Sequence, residues 1–362
     1  MAARRGRALM RIVLRLALLL TLAGLALISL ISVVAGLLPR SVQLTYLSRT
    51  SRTGGATVVY HLMLADPRHG LEVRLLTLDY EPENMSWSPD GAVLAYRDPV
   101  ALPAVTLYDT RTGQERRVRL TDIRPQVSDP FAWSPDGARL AFAAYPTDAE
   151  GLMQGIESSI YVLDVNAGVM ERITQLPYSQ SHPRWSPAGN DVLLANTNRP
   201  ELLSADLATG QIQTITTGLD RVLFRWLPDG SGFMTLTGSQ RGLILNMLRD
   251  DQQVFPVRLP SGWNNGDVSW SPDGTQLVTM TSANSSADLT LIDLRTGALR
   301  PFATWRTYEG QPAWSPDGRY IAYVTTLSGN DDIFLYDVRR DAKYRVTRTD
   351  SRDWQPLWRP GE

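Results

Sequence analysis

The chain lacks cysteine altogether and, in 362 residues, has only three histidines and one lysine, Lys343. The absence of cysteine excludes a disulfide framework, a thiolate metal site and a cysteine nucleophile. The formal net charge of −1 offers no basic face for nucleic-acid phosphates. A Gly-x-Ser-x-Gly motif, which marks the nucleophile of α/β-hydrolases, is also missing. We therefore expect no nucleic-acid partner, and the composition points to no cofactor.

The one long apolar run lies near the N-terminus, from Leu16 to Leu38, and contains no charged residue. As a helix its 23 residues would span about 34 Å, which is enough to cross a bilayer core of about 30 Å. Five arginines precede it, and such residues stay cytoplasmic. The sequence predicts a basic cytoplasmic tail (1–15), a transmembrane signal-anchor helix (16–38) and a periplasmic or extracellular remainder. A cleaved signal peptide is the alternative, since Val33-Val34-Ala35 offers a cleavage site.

A repeat organises the rest of the chain. The stretch WSPDG occurs at 87–91, 133–137, 270–274 and 314–318, with weaker copies WSPAG at 185–189, WLPDG at 226–230 and WRPG at 358–361. The spacings between successive tryptophans are 46, 52, 41, 44, 44 and 44 residues. Each interval holds short β-branched and aromatic runs bounded by turn residues, which is typical of strands. Four antiparallel strands in a unit of about 44 residues are typical of a β-propeller blade.

The two ends of the chain complement each other. The last tryptophan strand, near Trp358, has no following strands, whereas residues 42–79 contain three strands with no tryptophan strand before them. The sequence therefore predicts an all-β fold: a seven-bladed β-propeller of four-stranded antiparallel blades, preceded by one transmembrane helix. A composite blade, made from both chain ends, would close the ring and remove free strand edges. We expect the propeller to be a monomer.

The tryptophan, the Ser-Pro-Asp-Gly turn and the later strands that end in aspartate resemble the repeats of TolB-type β-propellers. The resemblance covers residues 42–360 and implies a fold more than a function. Within each copy, Ser, Pro, Asp and Gly suit a type I turn, and the tryptophan suits the space between blades. A catalytic serine would need a neighbouring base, and no histidine or lysine recurs beside the copies. The motif is therefore interpreted as structural.

The candidate binding residues lie three positions before the tryptophans, where the copies differ. The resemblance implies that the tryptophan strand is innermost, so these residues would surround one mouth of the central channel. The polar ones, which we take as candidates for binding, are Asn84, His182, Asp267, Gln311 and Gln355. Convergent polar groups in a concavity are typical of ligand sites, although side chains that hydrate the channel or cap strand ends would have the same composition. The insert at 145–159 is a second candidate contact.

These features favour a binding or scaffolding module for a protein, peptide or glycan of the cell envelope, held at the membrane by its N-terminal helix. The alternative is a propeller enzyme, a polysaccharide lyase or hydrolase, with its site at the channel mouth. Some propeller lyases use histidine-bound metal, but His61 and His69 fall in other strands than His182. The sequence accordingly predicts no metal site and no catalytic residue.

Overall fold

The structure is a computed structural model that describes most of the chain after residue 42. It describes residues 43–51, 58–100, 103–127, 131–148, 150, 152–199, 201–216, 223–239, 242–249, 252–258, 263–283, 286–304 and 307–361. Of residues 51, 216, 223, 236–239, 242–249, 252–258, 263–267, 281–283 and 286–287, only the backbone is described. The predicted basic tail and transmembrane segment lie outside the described residues. Within the ranges given, no helix is both long and apolar enough to cross a membrane.

All regular structure in the described part is β-strand. The first strands are β1 (Leu44–Ser51), β2 (Val58–Asp66), β3 (Leu71–Leu78), β4 (Glu83–Trp87), β5 (Val93–Arg97), β6 (Ala104–Asp109) and β7 (Gln114–Arg119). Next come β8 (Ile123–Pro125), β9 (Ala132–Trp133), β10 (Arg139–Pro146), β11 (Ser159–Asp164), β12 (Met170–Arg172), β13 (Gln180–Trp185), β14 (Asp191–Asn196), β15 (Glu201–Asp206) and β16 (Ile212–Thr216). The chain continues through β17 (Leu223–Trp226), β18 (Gly232–Ser239), β19 (Gly242–Arg249), β20 (Gln252–Arg258), β21 (Trp263–Trp270), β22 (Gln276–Ala283), β23 (Ser286–Asp293) and β24 (Leu299–Ala303). The last strands are β25 (Glu309–Trp314), β26 (Tyr320–Thr325), β27 (Asp332–Asp337), β28 (Ala342–Arg345) and β29 (Arg352–Trp358).

These strands form a propeller of antiparallel sheets in which six sheets each use one continuous segment. Strands β8 and β9 both pair with β10, so they are two pieces of one interrupted strand. The remaining sheet joins the two chain ends in the order β29-β1-β2-β3, with Leu44 opposite Trp358. The predicted pairing of the C-terminal strand with three N-terminal strands is therefore confirmed.

The repeat tryptophans connect neighbouring sheets, as expected for inter-blade wedges. The indole Nε1 of Trp133 donates to the carbonyl oxygen of Ser86 at 3.1 Å, and that of Trp185 to Ala132 at 2.9 Å. Each acceptor is the residue just before the tryptophan of the preceding sheet. At the junction of the chain ends a hydroxyl relays this bond: Trp87 donates to Thr45 Oγ1, and Thr45 Oγ1 donates to the Leu357 carbonyl. The indole thus satisfies its polar atom while its rings fill the gap between sheets.

The Ser-Pro-Asp-Gly corners are built as turns. Ser134 Oγ donates to Asp136 Oδ1, the Arg139 N–H donates to Ser134 Oγ at 2.9 Å, and Gly137 has φ of +70°. The serine hydroxyl and the Ala138 N–H lower the pKa of Asp136, because both hydrogen bonds favour the carboxylate. Serine and aspartate are thus committed to the backbone, in agreement with the structural interpretation of the motif.

The antiparallel order gives the propeller two distinct faces. The Ser-Pro-Asp-Gly corners and the hairpins between third and fourth strands lie on one face, here called the corner face. The loops between second and third strands, and those that lead to the next sheet, lie on the opposite loop face. The described chain begins on the corner face, since the Arg359 N–H donates to the Gln43 carbonyl at 2.9 Å.

Candidate functional site

Four of the five candidate binding residues share an unusual backbone conformation. Asn84, His182, Gln311 and Gln355 have φ of +55°, +55°, +51° and +54°. At each of them the pairing of the innermost strand with its neighbour shifts register, as at a β-bulge. Bulges leave a residue unpaired and redirect its side chain, and they tolerate proline, which follows the bulge residue at 183, 312 and 356. The variable position is therefore a bulge in the innermost strand.

The backbone explains part of the polar composition that the sequence shows here. Left-handed φ values are uncommon outside glycine, and asparagine and histidine are among the side chains that tolerate them best. Asn84 and His182 thus suit the bulge irrespective of any ligand. The sequence pattern indicated a polar position without indicating this cause.

Two of these side chains also connect adjacent sheets. Asn84 Nδ2 donates to the Gln126 carbonyl at 2.9 Å, and the Gln355 N–H donates to Gln311 Oε1 at 2.8 Å. Gln311 and Gln355 are thus the candidate residues that the structure brings into contact. His182 Nδ1 lies 2.7 Å from Ser181 Oγ of its own strand. Asp267 lies in β21, but its side chain is outside the described residues, so its distance from His182 is not described.

A hydrogen-bonded chain links Asn84 with the insert at 145–159. Gln126 accepts from Asn84 through its carbonyl and donates from Nε2 to Tyr145 Oη at 3.2 Å. Tyr145 lies near the end of β10, where the insert begins. Sequence reasoning missed Gln126, because the strand that carries it is interrupted and its distance from Trp133 does not match that of the other copies.

The insert forms a hairpin that extends the loop face; residues 145–159 are called the rim hairpin below. Thr147 pairs with Met153 in an isolated bridge, and Asp148 Oδ1 accepts from the Leu152 N–H at 2.7 Å. Leu152 and Ile156 are 66% and 80% exposed. Large aliphatic side chains exposed to solvent on a protruding hairpin are typical of an interaction surface.

The rim hairpin is also acidic. Its sequence contains Asp148, Glu150 and Glu157 and no lysine or arginine. Because the whole chain is near neutral, this local excess of negative charge would favour a basic partner.

A further position, five residues before the tryptophan, escaped sequence reasoning because the copies carry proline, serine and arginine there as well as amides and acids. Glu309 and Asp353 are 0% and 1% exposed, and one oxygen of each, Oε2 and Oδ1, has no hydrogen-bond partner among the described residues. Burial raises the pKa of Glu309 to about 7 and that of Asp353 to about 6, because it disfavours the charged form.

The other histidines have local partners. His61 lies between the hydroxyls of Thr50 and Thr77, each 3.1 Å away, and His69 Nδ1 lies 2.9 Å from Asp66 Oδ2. Neither is brought to His182 by a described contact. Over the described ranges, no group of three or more histidine, aspartate or glutamate side chains is arranged to hold a metal ion.

Comparisons with known proteins agree with this architecture. TolB from Acinetobacter baumannii has a TM-score of 0.55 and 18% identity, with 76% of this chain and 67% of that chain covered. An oligogalacturonate lyase from Vibrio parahaemolyticus has a TM-score of 0.64 and 13% identity, with 82% of this chain and 92% of that chain covered. At such identities the likeness concerns the fold alone.

Sequence comparison specifies the family. A Bacillus subtilis protein named uncharacterized peptidase YuxL is 30% identical over 116 residues, which cover 30% of this chain and only 16% of that protein. The profile of the TolB beta propeller domain matches residues 41–259 and 267–362. Because this match spans nearly all of the propeller, the chain belongs to the TolB beta propeller domain family.

Proposed function

We propose that the chain is a membrane-anchored binding module of the cell envelope whose partner docks on the loop face. The observation that carries the proposal is the rim hairpin, whose described residues present Leu152, Met153 and Ile156 to solvent beside the Thr147–Met153 bridge. The contacts through Gln126 to Asn84 connect this hairpin with the bulge position. We include Asn84, His182, Asp267, Gln311 and Gln355 as the axial part of the same docking surface.

The proposal includes a closed ring of seven blades. Support comes from contacts between sheets that follow each other: Arg225 Nη1 donates to the Ser271 carbonyl at 2.6 Å, and the Trp314 N–H donates to Ser269 Oγ at 3.0 Å. The composite sheet contacts the neighbours on both sides, through Trp87 and Trp358. A closed ring leaves only short, protected strand edges around the channel and holds the loop face rigid.

The proposed anchor would orient the molecule. Four residues separate position 38 from Gln43, and four extended residues span at most about 14 Å. Gln43 lies on the corner face, so this face would lie next to the membrane. The rim hairpin would then point away from the bilayer, towards a partner in the periplasm or outside the cell.

The chemistry of the rim hairpin favours a protein or peptide partner with basic and apolar side chains. Aliphatic side chains supply the apolar contact, and the three acidic residues would attract lysine or arginine. The exposed large hydrophobic residues of the rim hairpin include no aromatic ring on which a sugar could stack. A glycan is therefore less favoured than a protein, and it is one of the outcomes that the test distinguishes. The axial amides could bind either class.

The test is photo-crosslinking from the loop face in native membranes. It compares the full-length wild type with the full-length double variant Leu152→Ser/Ile156→Ser. We expect the partner captured by the wild type to be reduced at least tenfold in this variant. Val169→Ser is the matched control, because Val169 is 65% exposed on the corner face. Identical partner sets in wild type, double variant and control would refute docking on the loop face. Glu150→Gln/Glu157→Gln should weaken capture mainly at low salt.

An enzyme is the second candidate, favoured by the similarity that covers 92% of the oligogalacturonate lyase chain. If the axial position has this activity, the purified chain should release unsaturated products from oligogalacturonates, and His182→Ala should abolish the release. A manganese-supplemented assay that shows no product would rule out this substrate class.

A further inference from the structure

Three sheets carry an equivalent buried polar side chain at the start of the innermost strand. Gln180, Glu309 and Asp353 each lie five positions before a repeat tryptophan and two before a bulge residue. All three are buried, with 0%, 0% and 1% of the residue exposed. The repeat therefore places an amide in one sheet where it places carboxyl groups in two others.

Each of the three side chains also accepts a hydrogen bond from a threonine, which lies six, two or four residues before it in the chain. A threonine hydroxyl donates to one oxygen of each: Thr174 to Gln180 Oε1 at 2.7 Å, Thr307 to Glu309 Oε1 at 2.7 Å, and Thr349 to Asp353 Oδ2 at 3.4 Å. The second polar atom of each, Gln180 Nε2, Glu309 Oε2 or Asp353 Oδ1, is buried without a partner among the described residues. Each of the three side chains therefore has one oxygen that accepts a hydrogen bond and a second polar atom that is buried in the interior.

This pattern fits a neutral group. An amide offers one acceptor and one donor, and a protonated carboxylic acid offers the same pair. A carboxylate offers two acceptors, and burying its charge without a cation is costly. Within the described ranges, neither Glu309 nor Asp353 forms a salt bridge with an arginine or lysine.

The charged groups that face Glu309 come from two neighbouring strands. Asp288 of β23 raises the pKa of Glu309, Lys343 of β28 lowers it, and the Thr307 hydroxyl lowers it. The phenol of Tyr323 in β26 is buried beside Glu309, which raises the pKa of that phenol. Burial outweighs the opposing contributions, and the pKa of Glu309 rises from 4.5 to about 7.

The surroundings of Asp353 are more acidic. Burial raises the pKa of Asp353 from 3.8 to about 6, the nearby hydroxyls of Ser48 and Thr347 lower it, and the charges of Asp332 and Glu72 raise it. Arg345 is paired with Asp332, at 2.8 Å between Nη2 and Oδ2. Arg345 is therefore committed to a carboxylate other than that of Asp353.

We propose that Glu309 and Asp353 are held as neutral carboxylic acids in the folded propeller, as counterparts of Gln180. Their ionisation would loosen the first residues of β25 and β29, at the loop-face end of these strands. These strands meet two residues further on, where the Gln355 N–H donates to Gln311 Oε1. Loosening both strand ends would weaken this contact between sheets. The device does not depend on the proposed binding function.

The direction of the pH effect follows from proton binding. In the folded chain both groups bind a proton more tightly than in the unfolded chain, so their contribution to stability is complete below about pH 4 and is lost as the pH rises to about 7. Between pH 5 and pH 8 the unfolding equilibrium constant should rise roughly 70-fold through Glu309 and roughly tenfold through Asp353.

The test compares urea denaturation of the full chain at pH 5 and pH 8 for the wild type, Glu309→Gln, Asp353→Asn and the double variant. The amides keep the shape of the acids and cannot ionise, so each variant should recover its share of the stability lost at pH 8. In the double variant, amide hydrogen exchange of 309–314 and 352–358, corrected for intrinsic rates, should no longer increase with pH.

Glu83→Gln is the control, because Glu83 forms an ion pair with Arg97, which the amide cannot form. This variant should be less stable than the wild type at pH 8, not more. Equal losses of stability between pH 5 and pH 8 in the wild type and the double variant would overturn the proposal.

A second measurement applies even if the amide variants fold poorly. Infrared difference spectra of the wild type should show a protonated carboxyl band at pH 5.5 that disappears by pH 8. A spectrum without a protonated carboxyl band at pH 5.5 would contradict neutral Glu309, whatever the behaviour of the variants.

Discussion

Among single residues, Gly91 shows why the Ser-Pro-Asp-Gly corner ends in glycine. Its φ is +63°, and a Cβ built on it would lie 2.3 Å from the carbonyl oxygen of Pro360. Gly113, in the hairpin between β6 and β7, has φ of +69°, and a Cβ built on it would have no atom within 4 Å. The first glycine is required by conformation and by space, and the second by conformation alone.

We therefore expect Gly91→Ala to destabilise the chain much more than Gly113→Ala. In both variants the left-handed φ lowers the free energy of unfolding by about 1–2 kcal/mol. Gly91→Ala must in addition displace the backbone of the C-terminal segment. Urea denaturation would measure both losses. A Gly91→Ala variant no less stable than Gly113→Ala would show that this corner and Pro360 are further apart than described.

Among the structural elements, the innermost strand is defined by its bulge. The register shift lets one residue leave the ladder, and the residue that leaves has left-handed φ in four of the sheets. Gln355 is the most accessible of the four, and its backbone N–H donates to Gln311. The side chain of Gln355 should therefore matter less to folding than its backbone conformation.

Gln355→Gly should leave stability unchanged or raise it by about 0.5 kcal/mol, because glycine adopts positive φ without steric cost. Gln355→Val should lower stability by about 1–2 kcal/mol, because a β-branched side chain fits this region poorly. Thermal unfolding followed by circular dichroism measures the pair. If valine were tolerated as well as glycine, positive φ would not be what this position requires.

In the whole molecule, Arg359 joins both chain ends with the first continuous sheet. It is 1% exposed, and its guanidinium donates to the Gly91 carbonyl at 2.5 Å, to Gln43 Oε1 at 2.7 Å and to Thr110 Oγ1 at 2.8 Å. It also lies 5.3 Å from the ring centre of Trp87. A single buried cation thus binds segments that are more than 300 residues apart in the chain.

Arg359→Met should lower the free energy of unfolding by about 2–4 kcal/mol, because three buried acceptors lose a charged donor. Arg359→Lys should recover part of this, since lysine keeps the charge without the planar fork. Chemical denaturation gives the values, and the exposed Arg295→Ala is the control, with an expected change within about 0.5 kcal/mol. A loss for Arg359→Met no larger than for Arg295→Ala would mean that ring closure does not depend on this side chain.

The sequence alone was sufficient to predict the local structure and the repeat. The spacing of the tryptophans predicted the repeat, the turn residues predicted the corners, and the leftover strands predicted the composite sheet, because each depends on short-range preference or on counting. It also located the positions where copies differ.

The tertiary structure was needed for everything that depends on neighbouring segments. Position 84 and its equivalents are bulges with left-handed φ because of how two strands pair. Gln126 contacts Asn84 between two adjacent sheets, and Glu309 is buried without a salt bridge among the described residues. Burial, charge pairing and contact between distant segments are properties of the folded chain, since the sequence lists the groups and only packing decides which of them meet.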